Sequence, residues 1–321
     1  MTEATYTNPV HESYMADPFI LQHEGTYYAY GTANLTGDGR AFPVLQSVDL
    51  LHWEQVGGAL TPIGEGSYWA PAVAYAEGTF YLYYSMGTGE GIGHKLRVAT
   101  SLTPTGPFTD LGMELIPDQP FTIDAHPFQD EDGQWYLYYC QDFLELDEQF
   151  RVGTGIVVDR MVSMTQLAGT PQLVIRPFAD WQIFQAQRHI YGNIVDWYTI
   201  EGAAPLYHNG RYYCFYSGGA WERSNYGISY VVADHPMGTY EIPTVSDAIV
   251  RTIPEKVIGP GHNTFTTTPD GQSLIVYHVW DNAKTARRMC IDRLEWADDL
   301  PKFVAPTFTP QPVFIREERV S

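Results

Sequence analysis

Over its 321 residues the chain carries 38 acidic against 18 basic side chains, a formal net charge of −20. Like-charge repulsion therefore excludes nucleic acid and anionic membrane surfaces as partners. Aromatic residues make up 14% and charged residues only 17%, a balance that suits strands, which accept Tyr, Phe and Trp readily.

The opening MTEATYTNPV has neither a basic region nor an apolar stretch. This predicts a cytoplasmic protein, although a mature secreted form with its leader removed would look the same. No apolar run reaches the roughly 18 residues that span a bilayer.

From residue 14 onward one pattern recurs. A short motif is followed eight or nine residues later by a glycine and then by an aromatic-rich run: ADPF with Asp17, Gly25 and TYYAY; WAP with Trp69, Gly78 and TFYLYY; IDAHPF with Asp124, Gly133 and QWYLYY; IEGAAPL with Glu201, Gly210 and RYYCFY; GHN with His262, Gly271 and LIVYH. A glycine turn between alternating runs is a β-hairpin signal, and a repeat of this length predicts one propeller blade per copy. Outer strands repeat too: Ser47 to Trp53 closes the first copy, Arg97 to Phe108 the second and Val231 to Tyr240 the fourth. The expected fold is an all-β, five-bladed β-propeller in one domain over residues 1–321, with blades at roughly 14–62, 66–117, 121–180, 198–250 and 258–300. The tail from Phe303 to Val320 is expected to pair with or cover the first blade, because closing a ring hides its edges. Leu144 to Phe150 is the best case for a helix, but it is short and reads equally as a loop. Cys140, Cys214 and Cys290 fall inside predicted strands without metal-type spacing and read as reduced core residues.

Taken at one repeat position, the five copies read Asp17, Trp69, Asp124, Glu201 and His262. Carboxylates at the hub of an aromatic pocket are costly to desolvate, so three of them imply a use. Two carboxyl groups flanking a glycosidic bond suffice to hydrolyse it, one as proton donor and one as base or nucleophile. Glu201, among Ile200, Gly202, Ala203 and Ala204, has the apolar surroundings that raise a pKa and suit the acid; Asp17, before Pro18, suits the base. Trp69 is the first candidate for a sugar-stacking wall, with Phe19, Phe42, Trp181 and Trp221 behind it. His23, His126 and His278 read as structural.

ADPF, WAPAV, IDAHPF, EGAAPL and GHN, in this order, resemble glycoside hydrolase family 43 from about Asn8 to Trp296. The resemblance implies a five-bladed propeller that hydrolyses arabinose- or xylose-containing glycans with inversion. It makes Asp17 the general base, Glu201 the general acid and Asp124 the residue that modulates and orients the acid. It further implies that Arg287 contacts the sugar and Asp124, with Arg288 on the opposite strand face, and that His262 holds a largely water-coordinated calcium or similar ion.

The leading expectation is thus an exo-acting α-L-arabinofuranosidase or β-xylosidase taking terminal pentose from plant-derived oligosaccharides. An endo-acting α-1,5-L-arabinanase is the alternative. Inserts at Gly87 to His94 and Leu144 to Arg151 are expected to block one end of the open groove that it would need. A propeller that binds carbohydrate or protein without catalysis is the competitor from another class. The similar invertase and levansucrase group carries an Asn-Asp-Pro start and a Glu-Cys acid motif, whereas here Ala16 precedes Asp17 and Gly202 follows Glu201, so fructan chemistry ranks low. The partner expected is an arabino- or xylo-oligosaccharide, and the sequence leaves the oligomeric state open.

Overall fold

Alternating aromatic and aliphatic runs fold as mostly antiparallel strands in a computed structural model of the chain, which describes residues 2–88, 93–146, 148–243 and 247–315. The protein is all-β. Its single helical element among the described residues is the 3₁₀ turn Asp180–Gln182; the described part of 144–150 is irregular.

Three four-stranded meanders run over residues 16–60, 67–114 and 258–303. The third and fourth copies are joined into one nine-stranded sheet, because Gly153 and Thr154 pair in parallel with Tyr198 and Thr199. Each copy opens with one strand: Ala16–His23, Ser67–Ala76, Thr122–Gln129, Asn193–His208 and Ile258–Thr267. These opening strands touch one another in a closed cycle, the last against the first. Between the third and fourth copies lies a hairpin that sequence reading left unassigned, Ile183–Ile190 against the first half of Asn193–His208. Its turn, Tyr191-Gly192, has both residues at positive φ, which matches the right-handed twist of the flanking strands.

The tail does not pair with the first sheet. Gln311–Ile315 pairs with Thr2–Tyr6, and the cluster holding Tyr6 and Val313 also takes in Ile20, Tyr27 and Leu45 of the first sheet and Leu274, Met289 and Ile291 of the last. The two chain ends thus seal the seam between these sheets with buried apolar surface. The three cysteines are free and buried.

The repeat carries a device that positions the site. Every opening strand has a β-bulge at one place, two residues facing one on the neighbouring strand: after Ala16, Trp69, Ile123, Glu201 and Gly261. The first bulged residue is left-handed each time: Asp17 (φ 50), Ala70 (φ 48), Asp124 (φ 57), Gly202 (φ 61) and His262 (φ 49). Such a conformation costs a non-glycine residue about 1–3 kcal/mol, and four of the five are not glycine. The bulge N–H groups are caught by the preceding copy: Ala70 N by Thr32 Oγ1 (2.8 Å), His262 N by Ser217 Oγ (2.6 Å) and Asp17 N by His278 Nδ1 (3.1 Å). The last of these ties the fifth copy to the first.

Candidate active site

The bulges correct the repeat register. The equivalent residues are Asp17, Ala70, Asp124, Gly202 and His262, so Glu201 and Trp69 stand one place earlier than the sequence comparison put them. A bulge turns consecutive side chains away from strict alternation, and Glu201 still faces the same cavity as Asp17 and Asp124. That cavity measures about 1340 Å³ and is also lined by Trp69, Trp221, His262 and Arg287.

Asp17 is nearly buried. Burial by itself would raise its pKa, but the Arg287 guanidinium at 3.2 Å outweighs it, and the His262 and His278 rings at 3.4 and 3.5 Å add to this only when protonated. Its carboxyl is held well below the usual carboxylate range. Glu201 goes the other way. Burial, aided by the charge of Asp17, pushes it up to about 7, against a hydrogen bond of 2.6 Å that the Tyr226 hydroxyl donates to Oε1. Asp124 is raised well above its ordinary value by burial and by the charges of Glu201 and Asp17. Its Oδ2 accepts the Gly202 N–H at 3.0 Å, which pins the backbone next to Glu201. Both His262 and His278 are pushed toward the neutral form by burial. Near neutral pH the site therefore holds one firmly ionised carboxylate, Asp17, beside two carboxyls pushed toward the protonated form, Glu201 and Asp124.

The profile of glycosyl hydrolases family 43 matches residues 6–301. The chain belongs to this family. It is 31% identical to a β-D-galactofuranosidase of Aspergillus niger over 89% of this chain and 81% of that one. It is 26% identical to an extracellular exo-α-(1→5)-L-arabinofuranosidase of Streptomyces avermitilis over 94% of this chain, spanning 64% of that longer protein. Among solved structures it resembles a thermostable family-43 glycoside hydrolase with a TM-score of 0.82 and 33% identity, covering 96% of this chain and 98% of the other. An α-L-arabinofuranosidase from Lactobacillus brevis shares the fold at a TM-score of 0.75 and 23% identity, covering 95% and 98%. The protein is a glycoside hydrolase of family 43.

Within the family 43 site, two expectations about Arg287 separate. Its guanidinium pairs with Asp17, not with Asp124, and lies 4.4 Å over the Trp221 ring, with Tyr14 Oη at 3.0 Å from Nε. Arg288 turns to the other face and pairs with Glu12 and Asp281. Trp69 lines the cavity and stacks on His94 with centroids 3.5 Å apart; Trp221 lines it and stacks on Trp280. Phe42 does not reach the cavity: it is fully buried against Tyr68 and Tyr84. Phe19 packs edge-on against His126 and borders only a small axial void. Trp181 packs against the core cluster of the third and fourth copies, away from the cavity. Within the inserts, residues 89–92 and 147 lie outside the described residues.

Sequence reading missed Tyr226 and His278 as partners of the acids, since one precedes the strand Gly227–Ala233 and the other lies in the second strand of the last copy, and no local motif records their contacts. It also missed Asp142, Arg188 and Trp197, which line the cavity beyond Glu201. The hairpin signal at Tyr191-Gly192 would have found that wall.

A calcium takes six to eight oxygen ligands, so one held beside His262 would have to draw most of them from water. Asp124, Glu201 and His262 bring three donor atoms within 4.8 Å of one another, one of them a nitrogen, and both carboxylates already accept protein hydrogen bonds. The axial void below, bordered by Pro18, Pro71, His262 and Asn263, measures about 10 Å³. That is room for about one water, suited to the buried Asn263 amide, whose polar atoms have no protein partner among the described residues.

Proposed function

We propose that the five copies form a single-domain, five-bladed propeller whose hub removes terminal α-L-arabinofuranose, or β-D-xylose, from short plant-derived oligosaccharides with inversion. The observation that carries this reading is the opposite state of two carboxyls on one cavity: Asp17 ionised beside Arg287, and Glu201 raised to about 7.

In this mechanism Glu201 gives its proton to the glycosidic oxygen as the bond to the anomeric carbon breaks. Asp17 takes a proton from water as its oxygen attacks the opposite face of the sugar. The products are a free sugar of inverted configuration and a shortened alcohol. Asp124 orients the acid through Gly202, and Arg287 keeps Asp17 charged while its stacking on Trp221 fixes one wall.

A furanose ring is supported by the names of two relatives, the Aspergillus galactofuranosidase and the Streptomyces exo-arabinofuranosidase. α-L-Arabinofuranose and β-D-galactofuranose share ring stereochemistry and differ in the exocyclic arm, so a site for one is close to a site for the other. Endo action on arabinan is the second reading. It is favoured by a cavity larger than the usual 300–1,000 Å³ of small-ligand pockets and by 33% identity over 122 residues to a probable endo-arabinosidase of Aspergillus oryzae.

The test is turnover of nitrophenyl α-L-arabinofuranoside, β-D-galactofuranoside and β-D-xyloside beside linear and debranched arabinan. Furanoside turnover with slow polymer cleavage supports exo action. Rapid loss of polymer viscosity would replace it by endo action, and no turnover of any substrate by folded protein would leave a binding propeller.

A further inference from the structure

The hairpin between the third and fourth copies builds a second polar cluster on the cavity wall. Asp142, from the strand Trp135–Phe143, accepts the Thr154 hydroxyl at 2.8 Å on one oxygen and the Tyr191 hydroxyl at 2.7 Å on the other. One donor comes from the neighbouring strand Gly153–Ser163 and the other from the Tyr191-Gly192 turn, so the carboxyl is fixed in place. Opposite it, the Arg188 guanidinium is held between two aromatic faces, 5.1 Å over Phe184 and 5.3 Å over the buried Trp197. Among the described residues the Arg188 guanidinium makes no hydrogen bond and no ion pair. It and Asp142 feel each other's charge without closing into a salt bridge, and both line the cavity that holds Asp17 and Glu201.

The Arg188 guanidinium donors face the cavity without a protein acceptor among the described residues, so a ligand's hydroxyls can take the place of water on them. Stacking has already removed most of the rotamer freedom that binding would otherwise take away. A fixed acceptor and a fixed planar donor, close but unpaired, are complementary to neighbouring hydroxyls on one ring, which donate to the carboxylate and accept from the guanidinium. Trp197 and Glu201 lie on the same strand. Four residues of strand separate them by roughly 13 Å, farther than one sugar ring spans.

We propose that Asp142 and Arg188 form a distal sugar subsite that binds a further ring of an oligosaccharide through its vicinal hydroxyls. The substrate is then a chain of two or more sugars, not an isolated glycoside. This rests on the hydrolase reading, and the experiment separates the two.

The experiment compares Arg188→Ala and Asp142→Asn with the unmodified protein on a nitrophenyl monoglycoside and on the linear trisaccharide of the same sugar. For each variant kcat/KM is expected to fall at least about tenfold further on the trisaccharide, the cost of one or two lost hydrogen bonds, with the difference carried by KM. In parallel, calorimetry follows trisaccharide binding to Glu201→Gln protein with and without Arg188→Ala, and expects at least about tenfold weaker binding in the double variant. Should Asp142→Asn fail to fold, Arg188→Ala and the calorimetry still decide. Equal losses on both substrates, or trisaccharide binding indifferent to Arg188→Ala, would overturn the subsite alone. Absence of any glycosidase activity in the unmodified protein would overturn the hydrolase reading, while the calorimetry would still report on the subsite.

Discussion

Arg287 reaches Asp17 at 3.2 Å from the far end of the chain, and the same guanidinium lies over Trp221 at 4.4 Å. One residue thereby sets the ionisation of the proposed base and the shape of the wall beside it.

Replacing it separates charge from geometry. Arg287→Lys keeps a cation but loses the planar stack, and Arg287→Met loses both. Each is expected to lower kcat/KM, by about tenfold and about a hundredfold or more. In Arg287→Met the acidic limb of the pH profile should move upward, because Asp17 then lacks the cation that holds it ionised. A profile measured from pH 3 to 9 checks this.

For the unmodified enzyme, kcat/KM should fall as pH rises through about 7, where Glu201 loses the proton it must deliver. The acidic limb should lie below the usual carboxylate range, set by Asp17. Stability follows the same linkage. A carboxyl whose pKa is raised on folding contributes stability that is complete below its unfolded value and lost as pH rises through its folded one. Glu201→Gln removes that loss, so its Tm should match or exceed the unmodified protein's above pH 7 while activity collapses.

Gly261 predicts a purely steric lesion. A Cβ built there would lie 2.0 Å from Cε1 of Tyr226, the ring that donates to Glu201. Gly261→Ala should therefore cost more in kcat than Tyr226→Phe, which removes the hydroxyl and leaves the ring in place. Steady-state kinetics on both variants, with circular dichroism to confirm folding, provide the comparison.

Removing divalent ions should leave kcat/KM within about twofold. Both proton transfers of the proposed mechanism are carried by Glu201 and Asp17, and the three side-chain donors near His262 would leave most of a calcium shell to water. Exhaustive dialysis against a chelator, followed by assay and metal analysis, tests this.

Much of this was legible in the sequence, for a physical reason: a hairpin repeat writes its turn glycine and its alternating strands locally. Asp17 and Asp124 were visible as acids at the strand openings. The register was not, because a bulge adds a residue without changing composition. Counted back from the turn glycines, Asp17, Ala70 and Gly202 each stand eight residues before Gly25, Gly78 and Gly210, while Asp124 and His262 stand nine before Gly133 and Gly271. A difference of one residue hid the fact that Gly202, not Glu201, fills the left-handed position. Phe42 looked like Trp221 in sequence, and only burial separates a core ring from a cavity wall. Tyr226, His278 and Arg188 act through neighbours brought close by ring closure or by the extra hairpin, which no local pattern encodes.

The assignment of Glu201 as proton donor is tested most directly by a leaving-group series. Glu201→Gln and the unmodified enzyme are compared on aryl glycosides of the sugar cleaved best, from dinitrophenyl to unsubstituted phenyl. A lost general acid should cost about 10³-fold or more on phenyl and far less on dinitrophenyl, whose departure needs little protonation. A loss of the same size across the whole series would contradict it.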